Sequence, residues 1–170
     1  MTTRAASSVV CDAGPVIHLD ELDCLSLLKD FDPVLIPSQV CQEIAYHRQG
    51  ALRISGLLFQ EIEVAISADP KFQFLVQSLS LDFGEQAALS LMQNYPDAIF
   101  LTDDAAARLA ASNLGYRVHG TIGILLRSIR RKQKSTEEVV VILHNLPHQS
   151  TLHIRSQLLE EIIVRLESGK

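Results

Sequence analysis

The sequence predicts an α/β fold, a three-layer domain with a parallel sheet of about five strands and helices on both faces. Two observations carry this. Short apolar runs alternate with longer segments of helical period, as in a chain of βα units. Two of those runs, Val9-Val10-Cys11-Asp12 and Ala98-Ile99-Phe100-Leu101-Thr102-Asp103-Asp104, stop abruptly at carboxylates. In an open parallel sheet such strand ends converge on one crevice, where ligands and metals bind.

Strands are expected at Ser8–Asp12, Pro33–Ile36, Glu61–Ile66, Ala98–Thr102 and Tyr116–His119, with prolines or a glycine marking several of their starts and ends. The first helix should open at Pro15, because proline suits the first helical position. A second, turn-bounded helix carries Leu25, Leu27 and Leu28. Ser38 is expected to cap a helix running to about Arg48, and residues 71–81 form another. Asp82-Phe83-Gly84-Glu85 opens the clearest helix of all. Residues 105–114 form an Ala-rich helix that Gly115 ends, and Thr121 is expected to cap the next one. The run Val139–Leu143 is read as helix because Glu137-Glu138 lead it. Pro147 argues against a continuous helix through His144 and His148. From about Thr151, apolar residues at Ile154, Leu158, Leu159, Ile162, Ile163 and Leu166 form a helical stripe.

At 170 residues and 47% apolar composition, the chain has enough for one core and too much for disorder. The expectation is a single domain over 1–170, with a core of about 8–131 and a helical extension of about 135–168. No apolar run is long enough to span a bilayer. Met1–Ser8 shows no secretory signal, so the expected address is the cytoplasm. Three widely spaced cysteines fit neither a disulfide framework nor a zinc site, and scattered histidines add no zinc motif.

The net charge of −5 does not advertise nucleic-acid binding, but a cluster of metal-binding acids lowers the total without touching a basic face elsewhere. One run, Arg127, Arg130, Arg131, Lys132 and Lys134, reads either as a solvated helix end or as a phosphate-contacting patch.

Each acid has two readings. Asp12 follows a strand and precedes a Gly-Pro turn, so it is a helix cap or a ligand at a strand end. Glu43 is a surface glutamate or a member of the same cluster. Asp82-x-x-Glu85 fits a capping box, or Glu85 reaches the crevice. One of Asp103 and Asp104 can cap the helix from Ala105, and the other then needs a reason. Neighbouring anions repel more strongly in a cleft. A divalent cation with hard oxygen ligands removes that repulsion. One shared site is more economical than four separate explanations.

The ordered series resembles the PIN domain, a metal-dependent nuclease fold of prokaryotic toxins and RNA-processing proteins. The matching pieces are Val9 to Ile17, Val34 to Ile44, Leu81 to Leu89, Leu101 to Asp104, Ala107-Arg108, and Gly120-Thr121-Ile122-Gly123. The helical tail also fits one branch, the prokaryotic PIN-like proteins with a Gly-Glu helix start and a Gly-Thr-x-Gly turn. The resemblance implies a three-layer α/β/α fold and a four- or five-acid site for Mg²⁺ or Mn²⁺. Asp12, Glu43, Glu85 and Asp104 are its catalytic acids, with Asp103 a neighbour and substitute. The metal falls to Asp12, Glu85 and Asp103 or Asp104. Ser38 and Thr102 match supporting hydroxyl positions. Glu85 stands where many members carry an aspartate, which moves its carboxylate by one methylene.

The activity so implied is hydrolysis of RNA phosphodiester bonds, with Arg108, Arg127, Arg130 and Arg131 as candidates for holding substrate phosphates. The implied partners are RNA, an antitoxin protein where the member is the toxin of a toxin–antitoxin pair, and a second copy in a homodimer. No membrane is implied. A second reading from a different class is a PIN-shaped binding module with a weak or silent site that acts through a protein partner. A phosphatase of the haloacid-dehalogenase type fits worse, since Asp12-Ala13-Gly14 lacks the second acid of its Asp-x-Asp motif.

Overall fold

The computed structural model describes residues 7–54 and 56–169; of Met1–Ser8, where no secretory signal is expected, residues 1–6 lie outside them. The chain runs β1 (Ser7–Cys11), α1 (Ala13–Glu21), a 3-10 turn (Leu25–Asp30), β2 (Phe31–Pro37) and α2 (Ser38–His47). After a second 3-10 turn (Ala51–Arg53) come β3 (Phe59–Ile62), α3 (Pro70–Leu79) and α4 (Phe83–Asn94). The second half is β4 (Ile99–Leu101), α5 (Ala105–Asn113), β5 (Arg117–His119), α6 (Thr121–Arg130), α7 (Thr136–Gln149) and α8 (Ser156–Glu167).

The five strands form one parallel sheet in the order β3-β2-β1-β4-β5, flanked by helices as a three-layer α/β/α fold. The chain winds outward from β1 through β2 to β3, then returns to the other side of β1 for β4 and β5. The switch point therefore lies between β1 and β4, and a crevice opens beyond their carboxyl ends. Val9, Val10, Cys11, Phe100 and Leu101 are fully or almost fully buried. These are strands covered on both faces, which explains their unbroken apolar character.

Several boundaries differ from the sequence expectation, each for a local reason. Asp12 caps α1 at Ala13, so Pro15 falls inside the first turn, where its missing N–H has no partner to lose. Between the pairs Ser7↔Phe31 and Val9↔Val34, β2 holds one residue more than β1. The strand thus starts at Phe31 and absorbs Pro33 at the irregularity, where proline is tolerated. On the sheet edge, β3 stops at Ile62 because its partner ends at Pro37 and turns into α2.

Ser38 and Thr121 are the first residues of their helices rather than the caps, which are Pro37 and Gly120 without side-chain bonds. The helix expected around Val139–Leu143 starts at Thr136 under a Ser135–Glu138 capping box and continues through Pro147 to Gln149. Only His148 and Gln149 follow Pro147 in the helix, so its missing N–H and its ring's crowding of the Leu143 carbonyl disturb little beyond it, while Leu143 and Leu146 stay fully buried. α8 begins at Ser156, leaving Ile154 before it, and buries Leu159 and Ile163 while Leu158 is exposed.

Candidate functional site

The site grows from the switch point. The register Cys11↔Leu101 puts Asp12 beside Thr102, and the Asp12 N–H donates to the Leu101 carbonyl at 2.9 Å, one residue past the end of β1. The Asp12 carboxylate accepts from the Ala13 N–H (2.8 Å) and from the Thr102 hydroxyl (2.8 Å). That hydroxyl accepts in turn from the Asp104 N–H at 3.2 Å. Burial pushes the Asp12 carboxyl up to about 7, against the pull of the Thr102 and Ala13 hydrogen bonds. Nearby charges of Glu43 and Asp82 add to the rise.

Glu85 arrives from the start of α4. The capping box is real: the Glu85 N–H donates to Asp82 Oδ1, and Glu85 Oε2 accepts from the Asp82 N–H, both at 2.8 Å. Capping and crevice are not rivals here, because Glu85 is only 9% exposed and still feels its neighbours. Burial raises its pKa first, followed by the charges of Asp82, Asp104 and Asp12. Glu43 reaches over from α2, raised by burial and by Asp82. A Cβ on Gly84 would stand 2.9 Å from Glu43 Oε2, so the bare backbone leaves room for this carboxylate.

Asp103 and Asp104 take different paths. Asp104 is exposed, and its Oδ1 caps α5 by accepting from the Ala107 N–H at 2.8 Å. Both oxygens of Asp103 are engaged. Oδ1 accepts from the Thr121 N–H (2.7 Å), and Oδ2 accepts from the Thr121 hydroxyl (2.6 Å) and lies 2.8 Å from His18 Nδ1. Asp103 thereby does for α6 what a cap at Gly120 cannot. A Cβ on Gly120 would meet Asp103 Oδ1 at 2.5 Å and Arg108 Nη2 at 2.7 Å.

A cleft of about 270 Å³ gathers these groups: Asp12, Glu43, Asp82, Glu85, Asp103 and Asp104 line it, with His18 from α1. Its rim includes the connection between α7 and α8 at Thr151, Leu152 and His153. Glu21 on α1 holds that connection, accepting from the Ser150 hydroxyl at 2.8 Å and the Thr151 N–H at 2.7 Å.

The remaining candidates lie elsewhere or at the margin. Ser38 lines a separate depression with Gln39, Gln42 and Phe83. Arg127 and Arg131 both grip Asp30, each at 2.7 Å, and Arg127 lies over the Phe31 ring. Asp30 immediately precedes β2, so this pair sits at the amino end of the strands, opposite the acids. Arg130 is an exposed residue at the same end of α6. Arg108, by contrast, donates to the Thr102 carbonyl at 3.1 Å and lines a depression that shares Asp103 and His153 with the cleft.

Sequence reasoning missed His18, Asp82 as a cleft wall, and the Thr151–His153 rim. Only His18 left a local trace, four residues after Gly14 on one face of α1.

A family model, DUF3368, described as a PIN domain, matches residues 8–168. The chain belongs to the PIN-domain family. PIN domains are generally nucleases and typically use divalent metals. No curated protein and no solved structure matches the chain.

The acids suit such an ion by chemistry, although among the described residues no three His, Cys, Asp or Glu side chains are grouped, as they stand, to hold one. Each capping bond draws one oxygen aside. Among the described residues, Glu85 Oε1, Asp104 Oδ2 and both oxygens of Glu43 make no hydrogen bond, and all are hard donors suited to Mg²⁺ or Mn²⁺.

Proposed function

We propose that this PIN domain is a Mg²⁺- or Mn²⁺-dependent ribonuclease that hydrolyses RNA phosphodiester bonds. The observation that carries the reading is the convergence of Asp12, Glu43, Glu85 and Asp104 on one cleft at the switch point, with Asp12 and Glu85 raised by burial and Glu85 further by its neighbours' charge. A divalent ion there would lower the pKa of a bound water and offset charge on the phosphoryl oxygen. Asp12, Glu85 and Asp104 would hold it, with Asp104 favoured over Asp103 because the latter's oxygens are both engaged. Thr102 keeps the Asp12 carboxylate oriented. Glu43 would orient the attacking water, and Arg108 would hold a substrate phosphate.

The catalytic unit spans core and helical extension together, since the α7–α8 connection forms part of the cleft rim. A toxin role with an antitoxin partner, and a homodimer, belong to the same proposal. The rival reading, a silent binding module, draws on the absence of a preformed ligand group among the described residues.

The test is cleavage of single-stranded RNA by the wild type and by Asp12→Asn, with Mg²⁺ and with EDTA. Magnesium-dependent cleavage lost in Asp12→Asn supports the ribonuclease. Cleavage that persists unchanged in EDTA and in the variant overturns it.

A further inference from the structure

The depression that Arg108 lines beside the acid cleft has a volume of about 360 Å³, within the usual range of small-ligand pockets. Its chemistry differs from that of the cleft. Val118, Ile122, Ile154, Leu158 and Ile162 wall it, where the cleft has carboxylates. Arg108 is exposed, and its guanidinium donates to the Thr102 carbonyl with further N–H groups left to give. His119 and Gly123 complete the lining. Nothing local requires glycine at 123, the third residue of α6. Its φ lies outside the left-handed region, and glycine is a poor helix former. A Cβ there would be in ordinary contact, 3.5 Å from His119 Nδ1 and 3.8 Å from its Cγ. A longer side chain would run along the imidazole and fill the depression, so the glycine leaves that flank of the ring bare.

We infer that this depression takes one nucleobase of the substrate strand, stacked on His119 between the apolar walls, while Arg108 holds the phosphate beside it. This rests on the ribonuclease reading and deepens it, because bases as well as phosphates become part of recognition. The depression shares Asp103 and His153 with the acid cleft, so a strand lying in one continues into the other. A flat apolar ring suits the walls, and the cation at Arg108 suits the backbone that carries it. Single-stranded RNA is commonly held this way, with unstacked bases laid on aromatic rings, histidine included. Such stacking accepts any base, since each has a π-face. A base paired within a duplex is not free to enter, so the site favours single strands.

The experiment measures binding of a single-stranded oligoribonucleotide and of its abasic counterpart, with calcium replacing magnesium to suppress turnover. The abasic strand has the same sugars and phosphates but no bases. The wild type should prefer the strand with bases. Gly123→Leu, which fills the depression, and His119→Ala, which removes the ring, should each weaken that strand's binding about five- to a hundredfold, the range for one stacked base. Both should bind the abasic strand as the wild type does, and His119→Phe, which restores a flat ring, should keep most of the preference. Thermal melting confirms that each variant is folded. The first two variants alter the depression in opposite senses, so a folding defect in one leaves the other to decide. Variants that weaken both strands in the same proportion overturn the inference while leaving the ribonuclease reading intact. Unchanged affinities do the same, and they give the apolar walls to another occupant such as a protein partner. A wild type that binds both strands alike also overturns the inference. A wild type that binds neither strand overturns both.

Discussion

The Thr102 hydroxyl donates to the Asp12 carboxylate at 2.8 Å, joining the ends of β1 and β4 across 90 residues of chain. Because the same hydroxyl accepts the Asp104 N–H, two acids of the cleft share one oxygen atom behind its wall. Thr102→Val keeps the shape and removes that oxygen. It leaves the Asp12 carboxylate and the Asp104 amide short of a partner, costing about 1–3 kcal/mol. Chemical denaturation should show that loss, and Thr102→Ser should largely reverse it.

Stability should depend on pH in a direction set by Asp12. Its carboxyl moves from 3.8 to about 7 on folding, so the native state holds the proton more tightly. Between those values the folded form binds more protons than the unfolded one, and stability falls as pH rises through the window. Glu85 shifts in the same direction. In EDTA the melting temperature should therefore drop from pH 5 to pH 8, and Asp12→Asn should flatten the slope. A steeper drop in the variant would contradict the assignment.

Metal should counter that drop. An ion that binds only the native state stabilises it by about 2.7 kcal/mol at a hundred times its dissociation constant. Added Mn²⁺ should raise the melting temperature at pH 8 more than at pH 5, since protons compete for Asp12 and Glu85. Asp104→Asn should lose most of the gain. A silent module would show no gain at either pH.

Gly120 has no room for a side chain. Gly120→Ala forces a methyl against Asp103 and Arg108, and overpacking of this kind costs about 1–3 kcal/mol. The damage should reach function too, because Asp103 orients both His18 and the start of α6. Thermal melts and RNA binding together measure it. Wild-type values in both would show that the contact relaxes freely.

The arginines should separate cleanly. Arg108→Ala should weaken RNA binding several-fold with little change in stability. Arg127→Ala should do the reverse, since its guanidinium is spent on Asp30 at 2.7 Å. The pair is part-buried, but Arg131 stays on Asp30 in the variant, so the loss should be about 1 kcal/mol and should shrink in high salt.

Much of this was legible in the residues because burial on both faces writes a strand as an unbroken apolar run. Where Val9-Val10-Cys11 and Ile99-Phe100-Leu101 end, the polar residues that follow must stand at the carboxyl end of the sheet, and so Asp12, Asp103 and Asp104 could be directed to one crevice. The Asp82–Glu85 box was readable for a similar reason, being settled within four residues. What holds Asp103 was not. Its partners Thr121 and His18 come from two different helices, and no local pattern announces such a meeting. The same holds for the cap at Thr121, supplied by a carboxylate 18 residues earlier. Pro147 misled because proline is a poor helix residue in general, whereas its cost depends on how near the end it falls.

The sheet order has a consequence for how the protein is made. Asp12 follows β1, which leaves the ribosome before the other four strands described, while the Thr102 that orients it comes 90 residues later. A nascent chain therefore cannot assemble a working cleft until β4 has emerged. For the ribonuclease proposed above, chain topology alone would shield the cell from the unfinished product.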